Sequence, residues 1–150
     1  MNNLELKKEL LNKCLEIQQD AAITAKEASE EMQESANEYG QPSDRYDSYR
    51  AQLLKKKDFH SEQYEKAKRE ISILERIELH KIHNTVKLGS VVITNKQKMF
   101  ISISLGKVKI NNDDFYAIST QVPIYKAMED LEKGDKFVFN GNNFIIEEVF

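Results

Sequence analysis

Between Leu4 and Glu38, and again between Ser43 and His83, the chain carries neither glycine nor proline, while Gly40 and Pro42 fall together inside "NEYGQPSDRYD". Two such runs, rich in helix formers, specify two long helices joined at one sharp bend. In the first, Leu4, Leu11, Cys14, Leu15, Ala21, Ala22, Ala25, Ala28 and Met32 recur at spacings of three and four, a single helical stripe. The stripe thins from leucine to alanine toward the bend, which lets a partner helix come close. In the second, Tyr46, Tyr49, Leu53, His60, Tyr64, Ala67, Ile71, Leu74 and Ile77 repeat near heptad spacing. Ser43 is the expected N-cap of this helix, with Asp44 and Asp47 favourable in its first turn. The short join folds the helices back on each other. Residues 1–84 are therefore predicted to form an antiparallel coiled-coil hairpin with arms roughly 50 Å long.

Charge is laid out unevenly along this hairpin. Residues 27–47 hold Glu27, Glu30, Glu31, Glu34, Glu38, Asp44 and Asp47 against Arg45 alone, a net −6 within a chain whose total is −3. The predicted acidic tip, residues 38–47, ends this span, and basic residues Arg50, Lys55, Lys56 and Lys57 follow it. So small a basic patch does not suit a general duplex-DNA binder. No run of about 18 apolar residues is present, so no membrane span is expected. The stretch "MNNLELKKELLNKCLEI" lacks the apolar core of a secretory signal. Cys14 is a lone cysteine, which suits a reducing cytoplasm. His80 and His83 lie at helical spacing without a third ligand nearby, so no zinc site is read.

After Asn84 the period changes. "SVVITN", "KMFISIS", "VKI", "FYAIS", "KFVF" and "NFIIEEV" are short, β-branched or aromatic, and bounded by Gly, Asn and Asp. "FNGNNF" is a candidate tight hairpin. "VPIYKAMEDLEKGD" interrupts the strands with a short helix, begun at Pro123, faced by Ile124, Ala127, Met128 and Leu131, and ended by Gly134. Residues 85–150 are predicted to be a small sheet packed by one helix, making the whole chain α+β. Catalytic constellations are missing: no G-x-S-x-G, P-loop, dinucleotide fingerprint or HExxH appears. The chain is not expected to be an enzyme in its own right, since no nucleophile–base pair is visible.

"VKLGSVV" (86–92), "IS" (118–119), "PIYKAMEDLEKGD" (123–135) and "FIIEEV" (144–149), in that order, resemble the C-terminal domain of the Gre transcript-cleavage factors. Pro123, Ile124, Lys126, Ala127, Met128, Gly134 and Asp135 fall in register with the family pattern. Family members also place an antiparallel coiled coil before this domain, so the resemblance spans the chain. It implies an FKBP-like fold for the compact domain, and a cytoplasmic monomer that binds the secondary channel of bacterial RNA polymerase. The compact domain would dock at the channel rim, with Pro123 and Ile124 as partner contacts. The coiled coil would carry tip carboxylates, here Asp44, Asp47 and Glu38, to the polymerase active centre near the nascent RNA 3′ end. The implied cofactor is not the chain's own: it is a Mg²⁺ shared with the polymerase and held transiently by Asp44, since Mg²⁺ favours hard oxygen ligands.

The resemblance departs at the tip. Gln41 stands where the family has its first aspartate, and Arg45 lies beside the remaining acids. A neutral amide cannot recruit a cation, so channel binding that modulates elongation is expected, with cleavage stimulation weak or absent. Lys55, Lys56 and Lys57 have two open readings: solvated stems covering the alanine stripe, or contacts to RNA phosphate. The alternative function is a coiled-coil adaptor or chaperone-like interaction module unrelated to transcription.

Overall fold

A computed structural model describes residues 1–38 and 47–150, with Asp47 defined in its backbone only. In chain order it contains α1 (Asn3–Glu38), α2 (Asp47–Glu75), β1 (Val91–Thr94), β2 (Lys98–Ser102), β3 (Gly106–Ile110), β4 (Asp113–Ser119), α3 (Pro123–Met128), β5 (Lys136–Phe139) and β6 (Asn142–Val149). The fold is α+β, as the change of period at Asn84 predicts. The described chain forms two compact units, Glu16–Ser72 and Met1–Leu15 with Ile73–Phe150. This division does not follow the 84/85 boundary read from the sequence. Leu10, Leu11, Cys14, Leu74 and Ile77 belong to the same buried cluster as the sheet residues Val91, Phe100 and Phe115. The β region therefore takes part of its core from the helices.

The first helix begins with a capping box. The Asn2 side-chain oxygen accepts from the Glu5 amide at 2.8 Å, and the Glu5 carboxylate accepts from the Asn2 amide at 3.3 Å. In the unit Glu16–Ser72, α1 and α2 run antiparallel. Gln18 donates to the Glu70 carboxylate, Ser29 and Ser61 share a hydroxyl hydrogen bond of 2.7 Å, and Arg50 Nε donates to the Ala36 carbonyl at 3.3 Å. The partner number falls as the α1 number rises, which fixes the direction. Ala22, Ala25 and Ala36 of α1 and Leu53 and Ala67 of α2 are buried along this seam. Four of these five are alanines, so small side chains make up most of this seam.

The second helix ends at Glu75, not near His83 as its composition suggests. The amides of Arg76 and Ile77 bond back to the carbonyls of Ile73 and Leu74 at 3.2 and 3.1 Å, an i→i−3 tightening that closes the helix. Ile77 then enters the core of the sheet unit. Tertiary burial ends this helix where no glycine or proline does.

The six strands lie in the order β3-β4-β2-β1-β6-β5, with β2 and β4 parallel and the other pairs antiparallel. Alternate residues of the central strands supply two cores. Val91, Phe100, Phe115 and Ala117 face the cluster with Leu10 and Leu74, while Val92, Met99 and Ile101 face Tyr125 and Met128 of α3. Both faces are covered, which is why these strands read as near-continuous apolar runs. Asn140 and Gly141 have φ of 51° and 76°, the paired positive values of a two-residue hairpin turn, as "FNGNNF" predicts. Asn111 and Asn112 (φ 47° and 69°) make a second such turn, between β3 and β4. The short helix α3 starts at Pro123 as expected but stops at Met128, earlier than Gly134. The Asp130 amide donates to the Val86 carbonyl and the Leu131 carbonyl accepts from the Val86 amide, so this backbone is drawn into pairing with Val86.

Candidate functional site

Five carboxylates of α1 rise from its exposed side. Glu27, Glu30, Glu31, Glu34 and Glu38 are all exposed. Their spacing of three and four places them on one stripe, whereas the seam of Gln18, Ala22, Ala25, Ser29 and Ala36 runs along another. Among the described residues none of the five lies within ion-pair distance of a cation. Nor does any described group of His, Cys, Asp and Glu converge as a metal site. Glu38 is thus placed as an exposed carboxylate at the last position of α1. Gly40, Gln41, Pro42, Ser43, Asp44, Arg45 and Tyr46, and the side chain of Asp47, lie outside the described residues.

Downstream, Lys55 and Lys56 are exposed and Lys57 is half-buried. Arg50 belongs to the helix seam through its bond to Ala36. Pro123 is exposed at the first position of α3, while Ile124 packs partly against the core beside Met128. Of this pair, Pro123 is the more exposed. Burial, reinforced by Glu129 and Asp130, raises the Tyr125 phenol above its ordinary value, so it stays a neutral core residue.

The Gly-Ser of "VKLGSVV" has a structural explanation. Gly89 has φ 91°, and a Cβ there would meet Ile77 Cγ2 at 3.2 Å. Ser90 is fully buried, donates to the Lys87 carbonyl at 2.6 Å and accepts from the Lys87 amide at 3.1 Å. Those residues build the turn that feeds β1. Cys14 is fully buried, and burial pushes its thiol up to about 11. It packs in the core that the helices share with the sheet.

Composition and periodicity did not reveal Lys7. It sits on the apolar side of α1 with 3% of its surface exposed, and its Nζ donates to the Lys81 carbonyl at 3.2 Å. His83 is buried as well. A buried lysine in a helix stripe has a readable sequence signal, a cation where the three-and-four spacing calls for an apolar residue: Lys7 precedes Leu11 and Cys14 by four and seven.

No protein-family model matches the chain, and no curated protein matches it. Among solved structures it is similar to GreA factor homolog 1 (Gfh1) of Thermus thermophilus, with 19% identity and a TM-score of 0.35 over 95% of this chain and 93% of that one.

Proposed function

We propose that this chain is a Gre-like factor that binds the secondary channel of bacterial RNA polymerase and modulates elongation, with little or no stimulation of transcript cleavage. The observation that supports the reading is the order of motif and element together. Ile118-Ser119 closes β4, Pro123 opens α3, Gly134 (φ 93°) precedes β5, and β6 carries the final "FIIEEV". An antiparallel helix pair with an acidic stripe precedes them in the chain.

On this reading Pro123 and Ile124 contact the channel rim, and Asp44, Asp47 and Glu38 are the acids delivered toward the shared Mg²⁺. Lys55, Lys56 and Lys57 lie near RNA phosphate. Because Gln41 is neutral, the acids hold that ion weakly. The factor has no reaction of its own and acts as a monomer in the bacterial cytoplasm. The test is co-purification with bacterial core polymerase, followed by an assay of RNA cleavage in backtracked complexes. Binding at low salt that weakens in Pro123→Ala, with cleavage near the unassisted rate, is the expected result. No binding at low salt overturns the reading; strong cleavage abolished by Asp44→Asn overturns its second half.

A protein-interaction module of another class is the second reading. It is favoured by Ile23 and Phe59, large apolar side chains left more than half exposed on α1 and α2. Failure to bind polymerase, together with self-association by light scattering that Phe59→Ser removes, would select it.

A further inference from the structure

The unit Met1–Leu15 with Ile73–Phe150 contains a groove of about 440 Å³, formed by the first turns of α1 and the segment after α2. A groove of this size suits a small ligand. Leu4, Leu79, Ile82 and Phe150 supply apolar wall, and Lys7 and Lys81 also line it. Leu4 is 43% and Ile82 81% exposed, so apolar surface here faces water. Lys7 is almost wholly buried, and among the described residues the Lys81 carbonyl is its one acceptor. An ammonium has three N–H donors, so two lack a protein partner. No described carboxylate lies within ion-pair distance of it. A second cation, Lys81, lines the groove as well. His83 is held below its ordinary pKa first by burial and then by Lys7, Lys81 and Lys87, with Glu78 alone opposing.

A buried ammonium with unused donors is costly in an apolar setting unless an anion meets it. The complement of apolar walls plus an under-bonded cation is an anion with an apolar body. We propose that this groove binds a small apolar carboxylic acid, its carboxylate on Lys7 and its hydrocarbon part against Leu4, Leu79, Ile82 and Phe150. The carboxylate accepts the two free Lys7 donors, a charge-assisted contact stronger than a neutral one. The inference stands apart from the polymerase reading, since it uses neither the acidic stripe nor α3.

The experiment is an NMR titration of the full chain with octanoate, and with octanol and octylamine as matched neutral and cationic probes. Octanoate is expected to shift the backbone amides of Leu4, Leu79 and Ile82 saturably, binding about tenfold more tightly than octanol. Octylamine is expected not to bind. Lys7→Met is expected to bring octanoate down to the octanol level while the chain stays folded. Ile82→Ala, at an exposed position that cannot disturb the core, is expected to weaken both neutral and anionic probes severalfold. Equal binding of octanol and octanoate, octanoate affinity within twofold of wild type in Lys7→Met, an unchanged affinity in Ile82→Ala, or no saturable shift at millimolar octanoate each overturns the proposal.

Discussion

Lys7, Cys14 and His83 show how burial rewrites a side chain's chemistry. Cys14, fully buried and with its thiol pushed up to about 11, is neutral at any physiological pH. It is expected to resist a thiol reagent in the native state and to react at the ordinary rate in denaturant, measured by absorbance at both conditions. For His83 the sign follows from its depressed pKa. Between that lowered value and 6.5 the unfolded chain binds more protons than the folded one, so stability falls as pH drops through this window. Denaturation midpoints from pH 7.5 to 5 are expected to decline less in His83→Gln than in wild type. Burial also lowers the Lys7 pKa, so its charged form destabilises the fold at neutral pH. Lys7→Met is therefore expected to raise stability by about 1 kcal/mol in urea unfolding, and a loss would show that the ammonium has partners its single hydrogen bond does not account for.

At the scale of elements, the seam between α1 and α2 buries small side chains, and Ser29 meets Ser61 through a hydrogen bond of 2.7 Å. Removing one hydroxyl leaves the other with a lost partner in a partly buried place, whereas removing both leaves only small apolar groups. Ser29→Ala and Ser61→Ala are each expected to cost about 1 kcal/mol, and the double variant no more than either alone. Additive losses in this cycle would mean the two hydroxyls do not meet in solution. The β-hairpin turns follow a similar logic. Asn111-Asn112 and Asn140-Gly141 all take positive φ, and these residue types tolerate it best. Only the second pair was legible beforehand, because Asn-Gly is a stronger turn signal than Asn-Asn.

For the molecule as a whole, the β region is not a self-contained domain. Leu10 and Leu74, both fully buried, and Leu11 complete the core on one face of the sheet. A chain of residues 85–150 alone is expected to lack a cooperative unfolding transition and dispersed NMR signals. Leu10→Ala in the full chain should lower its stability by about 3 kcal/mol in a denaturant titration. A well-dispersed spectrum from residues 85–150 would show that the helices merely cover a sheet that is stable without them. Both α1 and α2 contribute residues to each compact unit. The proposed binding to polymerase is therefore to be tested with the intact chain.

The two long helices, the six strands, the Pro123 helix start and the Asn140-Gly141 turn were all present in local pattern, because glycine, proline, β-branching and apolar period act over a few residues. Glu27 to Glu34 were legible as part of an acidic run for the same reason. Other features rest on contacts between distant parts of the chain. The end of α2 at Glu75 follows from Ile77 entering the sheet core, the end of α3 at Met128 from backbone pairing with Val86, and the burial of Leu10 and Leu11 from strands far along the chain. Lys7 belongs with them. Its residue type predicts a solvated cation, and only the packing of α1 against the chain that follows α2 makes it a buried one.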